Sequence, residues 1–199
     1  MKTASGRPVH PLWLRVCHWI NAAAIIMMIL SGWRIYNASP LFPFSFPNPY
    51  TLGGWLGGAL QWHFAVMWIF GLNGVFYLVM NLFSGRFRQR FLPLSITQLF
   101  KDAFAALRGR LDHHDLRHYN MVQKFAYLLV TVDGILLVAS GLVLWKSVQF
   151  SLLRELLGGY DTARLIHFGA MSFLCMFFVI HLVMVALVPK TLLLITRGR

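Results

Sequence analysis

The chain has 199 residues, 58% hydrophobic and only 12% charged, too few polar side chains to surface a soluble globule of that size. Its 18 Lys and Arg against 6 Asp and Glu give a formal charge of +12. In a soluble chain that surplus would suggest nucleic acid. Here its distribution along the chain reads as a topology signal, so membrane lipid and not nucleic acid is the expected surrounding.

The first predicted span covers about 16–36, after a short arm ending in Pro-Leu-Trp-Leu-Arg. It is not read as a cleaved leader, because it runs about 20 residues, ends in SGWRIY and lacks a small-residue cleavage site. The loop ASPLFPFSFPNPYTLGGW follows. Pro40, Pro43, Pro47 and Pro49 rule out helix there, and its Phe residues predict a segment flat against the outer membrane surface or a partner. The second span is about 57–82. Within 95–108, apolar residues at 96, 99, 100, 103, 104 and 107 form a helical stripe. Ser95 and Gln98 predict a capping box and Gly109 a stop, so an amphipathic helix on the inner face is expected. The third span is about 121–145. SVQFSLLRELLGGYD then predicts a short interfacial helix before the fourth span, about 163–188.

A bilayer core of roughly 30 Å needs about 20 helical residues, and lipid forbids unpaired backbone, so each span is a helix. The expected fold is an all-α, four-helix transmembrane bundle forming one membrane domain over 1–199. Three basic residues precede the first span, eight fall within 86–124 and three follow the fourth span; the other two connections hold only Arg34, Lys146, Arg154 and Arg164. That asymmetry predicts cytoplasmic termini and a cytoplasmic 86–124 loop. Cys17 and Cys175 lie in different spans and no CxxCH occurs, so covalent c-type haem attachment is not indicated.

Eight histidines divide by place. His10, His113, His114 and His118 fall in predicted cytoplasmic segments and read as solvated, although HHDLRH could hold a metal ion. His18, His63, His167 and His181 fall inside spans, where an ionisable group is costly and marks a cofactor, a proton route or an interhelical hydrogen bond. Alternating chain direction puts His18 level with His181 near the inner face and His63 level with His167 near the outer face. The fourteen residues between His167 and His181 advance about 1400°, close to four turns, and about 21 Å. Both rings therefore leave one side of the helix. Two layers of two imidazoles suit two stacked haems, each with two axial nitrogens, better than zinc, which needs three or four converging ligands. Gly32, Gly71, Gly74, Gly141 and Gly169 would admit a neighbouring helix or a flat macrocycle. Arg34 and Arg164, at outer span ends, could pair with propionates of the outer haem or anchor the interface. Asp133, mid-span, reads as a neutral hydrogen-bonded carboxyl or a proton relay.

The ordered set RxxHW (Arg15, His18, Trp19), His63, HYNMVQK (residues 118–124) and the His167/His181 pair resembles the bacterial membrane di-haem b-type cytochromes. These include the cytochrome b subunits of nickel–iron hydrogenase, formate dehydrogenase and thiosulfate reductase. The resemblance covers nearly the whole chain. It implies two non-covalent b haems, with His18 and His181 on the inner one and His63 and His167 on the outer one. It also implies a quinone site by Asn120, Gln123 and Lys124, whose rival reading is helix capping and headgroup contact. The implied function is electron transfer across a bacterial inner membrane between quinone and a periplasmic redox subunit. Two alternatives stay open: a self-contained quinone-linked oxidoreductase acting on superoxide or another small species, and a haem-free proton or metal transporter.

Overall fold

A computed structural model describes residues 10–107 and 120–198. His113, His114 and His118, the stop at Gly109 and the terminal basic residues Lys2, Arg7 and Arg199 lie outside the described residues. In chain order the helices are α1 (Leu12–Ala38), α2 (Leu56–Phe83), α3 (Arg86–Phe91), α4 (Ile96–Leu107), α5 (Met121–Trp145), α6 (Ser151–Leu156), α7 (Tyr160–Leu187) and α8 (Lys190–Arg197). A single 3-10 turn, Asn48–Tyr50, interrupts the loop after α1, and no strand occurs among the described residues. Helices α1, α2, α5 and α7 are long and apolar enough to cross a membrane. Leu72, Val132 and Val179 are each at least 60% exposed on them, a surface that suits hydrocarbon and not water. The all-α fold with four spanning helices is therefore as expected. Helices α3 and α8 were not foreseen, since six and eight residues hold too few turns for periodicity to register.

Contacts group the chain into two compact units, one up to Leu78 together with residues from Leu193, the other Val79–Leu192. In the first unit, Pro11 caps α1 in an extended conformation, and Ser39-Pro40 ends it. The proline-rich loop folds back on the end of α1. Asn37 acts as a backbone mimic, donating from Nδ2 to the Phe46 carbonyl at 2.7 Å and accepting the Phe46 amide at 2.8 Å. Phe46 then stacks on Trp33 (4.6 Å, 5°), and Phe44 stacks on Tyr36 at 5.2 Å. Gly53 turns the chain into α2 with φ +107, and a Cβ there would stand 2.4 Å from the Ala59 nitrogen. Only glycine fits that approach.

A polar clasp joins α1 to α2. Asn73 Nδ2 donates to the Cys17 carbonyl at 2.9 Å and to Asn21 Oδ1 at 2.7 Å. Such bonds average about 0.6 kcal/mol each between membrane helices. Asn73→Leu should therefore cost about 1 kcal/mol, a drop of roughly 2–4 °C in the unfolding midpoint of the detergent-solubilised protein. An unchanged midpoint would mean the clasp contributes nothing.

In the second unit α5 packs along α7. Ser95 caps the first turn of α4, accepting the Gln98 amide at 3.3 Å. The other half of the expected box is replaced. Gln98 Nε2 donates instead to Asp102 Oδ1, and Asp102 Oδ2 accepts the Met121 amide at 2.7 Å, tying α4 to the first turn of α5. Ile96, Phe100 and Phe104 remain exposed along α4, an apolar stripe consistent with an interfacial position.

Candidate functional site

Each unit carries two histidines on its long apolar helices. In the first, His63 on α2 faces Ser31 on α1, whereas His18 lies thirteen residues before Ser31, about 20 Å along the helix at 1.5 Å per residue. In the second, His167 and His181 share the unbroken helix α7, about 21 Å apart by the same rise. Neither helix contains a proline or a break between its two levels, so these separations are fixed by helical geometry.

His63 and His167 have the same surroundings. Each is the eighth residue of its helix, and each meets a Ser-Gly step on the helix before it: Ser31-Gly32 and Ser140-Gly141. Ser31 Oγ lies 3.0 Å from His63 Nδ1 and Ser140 Oγ 2.9 Å from His167 Nδ1. Both serines are fully buried. Each hydroxyl has one proton and gives it to its own helix: Ser31 to the Met27 carbonyl and Ser140 to the Leu136 carbonyl, both at 2.7 Å. With its proton given there, each hydroxyl presents a lone pair to the imidazole, an arrangement that suits a ring protonated at Nδ1 with its lone pair at Nε2. His167 also hydrogen-bonds the Leu137 backbone. A neutral imidazole oriented through Nδ1–H, with Nε2 as donor atom, is the form that binds a metal.

The paired glycines give these rings their room. A Cβ on Gly141 would stand 3.3 Å from His167 Cε1, tighter than ordinary contact; on Gly32 it would stand 3.5 Å from His63 Cε1. Gly71, Gly74 and Gly169 have no described atom within 4 Å of a Cβ position, so the five glycines do not share one role. In the second unit the His181 ring lies parallel to Phe177 (6.0 Å, 8°), and in the first His18 meets Trp19 edge-on at 5.4 Å.

The remaining sequence-predicted residues sit as follows. Arg34 donates from a guanidinium nitrogen to Asn48 Oδ1 and lines a cavity of about 480 Å³ with Asn37, Phe46 and Trp55. Arg164 lies in the first turns of α7, three residues before His167. Asn120 and Gln123 form a complete capping box on α5: Asn120 Oδ1 accepts the Gln123 amide at 2.8 Å and Gln123 Oε1 accepts the Asn120 amide at 3.2 Å. The box occupies the two carbonyl oxygens and leaves the two –NH2 groups outside it. Lys124 Nζ donates to the Pro93 carbonyl at 3.3 Å. Asp133 is buried, and its Oδ2 has no hydrogen-bond partner among the described residues, so the expected hydrogen-bonded carboxyl is at most half satisfied. Ser31 and Ser140 went unnoticed in the sequence, although SGW and SGL in the C-terminal halves of two spans repeat the same step. Among the described residues no three His, Cys, Asp or Glu converge as a metal cluster.

Comparison with known proteins identifies the family. The family model described as prokaryotic cytochrome b561 matches residues 9–196. A chain of Azospira oryzae, provisionally named protein-methionine-sulfoxide reductase subunit YedZ1, is 57% identical over 190 residues, covering 96% of each chain. No solved structure matches. The oriented neutral imidazoles and the glycines beside them fit a b-type haem, whose iron needs only axial nitrogens from the protein. The chain belongs to the prokaryotic cytochrome b561 family: it is a multi-pass membrane cytochrome b, an electron-transfer subunit that holds b-type haem.

Proposed function

We propose that the chain is a single membrane domain holding two b haems in a bacterial inner membrane, with both termini cytoplasmic, passing electrons between quinone and a periplasmic redox subunit. His63 and His167 would bind the outer haem, His18 and His181 the inner one. The observation that carries this reading is the matched pair of imidazoles, His63 and His167, each with Nδ1 within hydrogen-bond distance of a fully buried serine hydroxyl. Bound haem supplies a one-electron ferrous–ferric couple. The protein's part is to supply Nε2 donors at two depths about 20 Å apart, to exclude water from them, and to place cations by the propionates. Arg34 and Arg164 take that last role; a guanidinium already bonded to Asn48 keeps further N–H donors.

Quinone is assigned to the start of α5. The Asn120 and Gln123 –NH2 groups would donate to a quinone carbonyl, with Lys124 alongside. The relative's name points to the catalytic subunit of a protein-methionine-sulfoxide reductase as the class of partner. The folded aromatic loop, with Tyr50 and Trp55 about two-thirds exposed, is the docking surface.

A pyridine haemochrome assay on purified protein should give two haems per chain, and a reduced quinol should develop the b-type absorption band. A preparation without a reducible b band would end this reading. Gly141→Ala should lower haem retention more than Gly32→Ala, because only the first puts a methyl inside normal contact with its histidine ring. Equal retention of both haems in the two variants would mean the glycines do not shape the site.

A further inference from the structure

Nothing in the ligand set explains why each of two separate hairpins places a fully buried serine against its histidine. Serine in the middle of a membrane helix has no need of a partner, since its hydroxyl is satisfied by the carbonyl four residues back. Plain helix packing would be served as well by alanine. What alanine lacks is an acceptor for the imidazole Nδ1–H. Losing it removes one of the contacts that orient the ring, although His167 keeps its bond to the Leu137 backbone.

We propose that Ser31 and Ser140 are positioning residues of the outer haem, acting through His63 and His167 to fix each ring and raise its donor strength. The assignment rests on the ligand set proposed above. An N–H···O bond at Nδ1 moves electron density toward Nε2 and makes the imidazole a stronger base toward metal. A stronger base stabilises ferric over ferrous iron, so two such bonds hold the outer haem at a lower potential than unassisted imidazoles would. Because the serines sit on different helices and contact different rings, their contributions are independent. Both act about 20 Å from the level of His18 and His181, so the inner haem is not addressed.

The test uses purified full-length protein, with redox titration of the b absorption bands, low-spin EPR of the oxidised haems, and transfer of haem to apomyoglobin. His181→Ala serves as a background in which only the outer haem remains, and His63→Ala and His167→Ala identify its signals by their loss. In that background, Ser31→Ala and Ser140→Ala should each raise the midpoint potential and shift the EPR g values, with the double variant further displaced than either. Haem transfer should quicken by roughly 10–100-fold, the usual cost of removing a partner of a metal-bound histidine. Ser31→Thr or Ser140→Thr, which keep the hydroxyl, should hold the wild-type potential. Loss of the outer haem in an alanine variant with retention in either threonine variant also supports the role. A double alanine variant with unchanged potential, EPR and transfer rate would overturn it, as would loss of the haem in both threonine variants. If His63→Ala and His167→Ala keep both haems, the ligand set itself is wrong and the serine roles fall with it; if they lose one haem while the serine variants change nothing, only the serine proposal fails.

Discussion

Replacing His63 by Ala is expected to lower haem content from two per chain to one, and His167→Ala to do the same. Neither change should affect the other haem. An axial imidazole contributes a bond that no neighbouring side chain can replace from its place in a helix, and alanine leaves the small hydrophobic volume a membrane span tolerates. The two variants should also be equivalent, since the two residues have the same position in their helices and the same serine and glycine neighbours. Pyridine haemochrome stoichiometry checks the count, and the surviving spectrum should be the same in both. A pair of variants that each lose a different haem would refute the outer pairing while leaving the cytochrome intact. The double variant should lose no more haem than either single one, a non-additivity expected only of residues serving one group.

Replacing Asn120 by Asp together with Gln123 by Glu is expected to weaken quinone use without loosening either haem. Asp is as good an N-cap as Asn, and Glu is the usual third residue of a capping box, so both reciprocal bonds to the backbone survive. What disappears is the pair of –NH2 donors. A neutral hydrogen bond contributes about 0.5–1.5 kcal/mol, so KM for quinone should rise roughly 2–10-fold per lost donor. Haem content and thermal stability should stay at wild-type values. The isosteric exchange separates the two readings of these residues, which an alanine scan would confuse by breaking the cap. Unchanged quinone kinetics would leave Asn120 and Gln123 as capping residues only.

The four spans and their histidines were legible in the sequence because they depend on counting. Twenty apolar residues make a crossing, and fourteen residues make four turns, whatever the rest of the chain does. The serines were not legible, because a Ser inside a span is satisfied by its own helix and shows no pattern. Only the approach of a second helix, seen in the 3.0 and 2.9 Å contacts, gives it a further role. The internal contacts of the proline-rich loop were not legible for a related reason. Prolines excluded α-helix and left only the 3-10 turn at Asn48–Tyr50, yet nothing local to ASPLFPFSFPNPY announces that Asn37, on the preceding helix, accepts and donates to Phe46. Gln98 shows the limit of motif reasoning. Its spacing from Ser95 fits a capping box, but a carboxylate one turn on, at Asp102, takes its side chain.

That clasped loop has a kinetic consequence. Its ring stacks and amide pair are made within the chain, so an arriving protein meets a face whose conformational freedom is already spent. Segments that fold only on binding add an ordering cost to each encounter; this one adds little. Its exposed residues include Phe42, Phe44, Tyr50 and Trp55 and no charged residue lies in 38–55, so long-range attraction should contribute less to encounter than removal of water does at contact. Association at this face should accordingly depend only weakly on ionic strength, and the lifetime of each complex should be set by how well the rings fit the partner. If the proposed redox partner docks on this loop, it meets a surface that is rigid before contact.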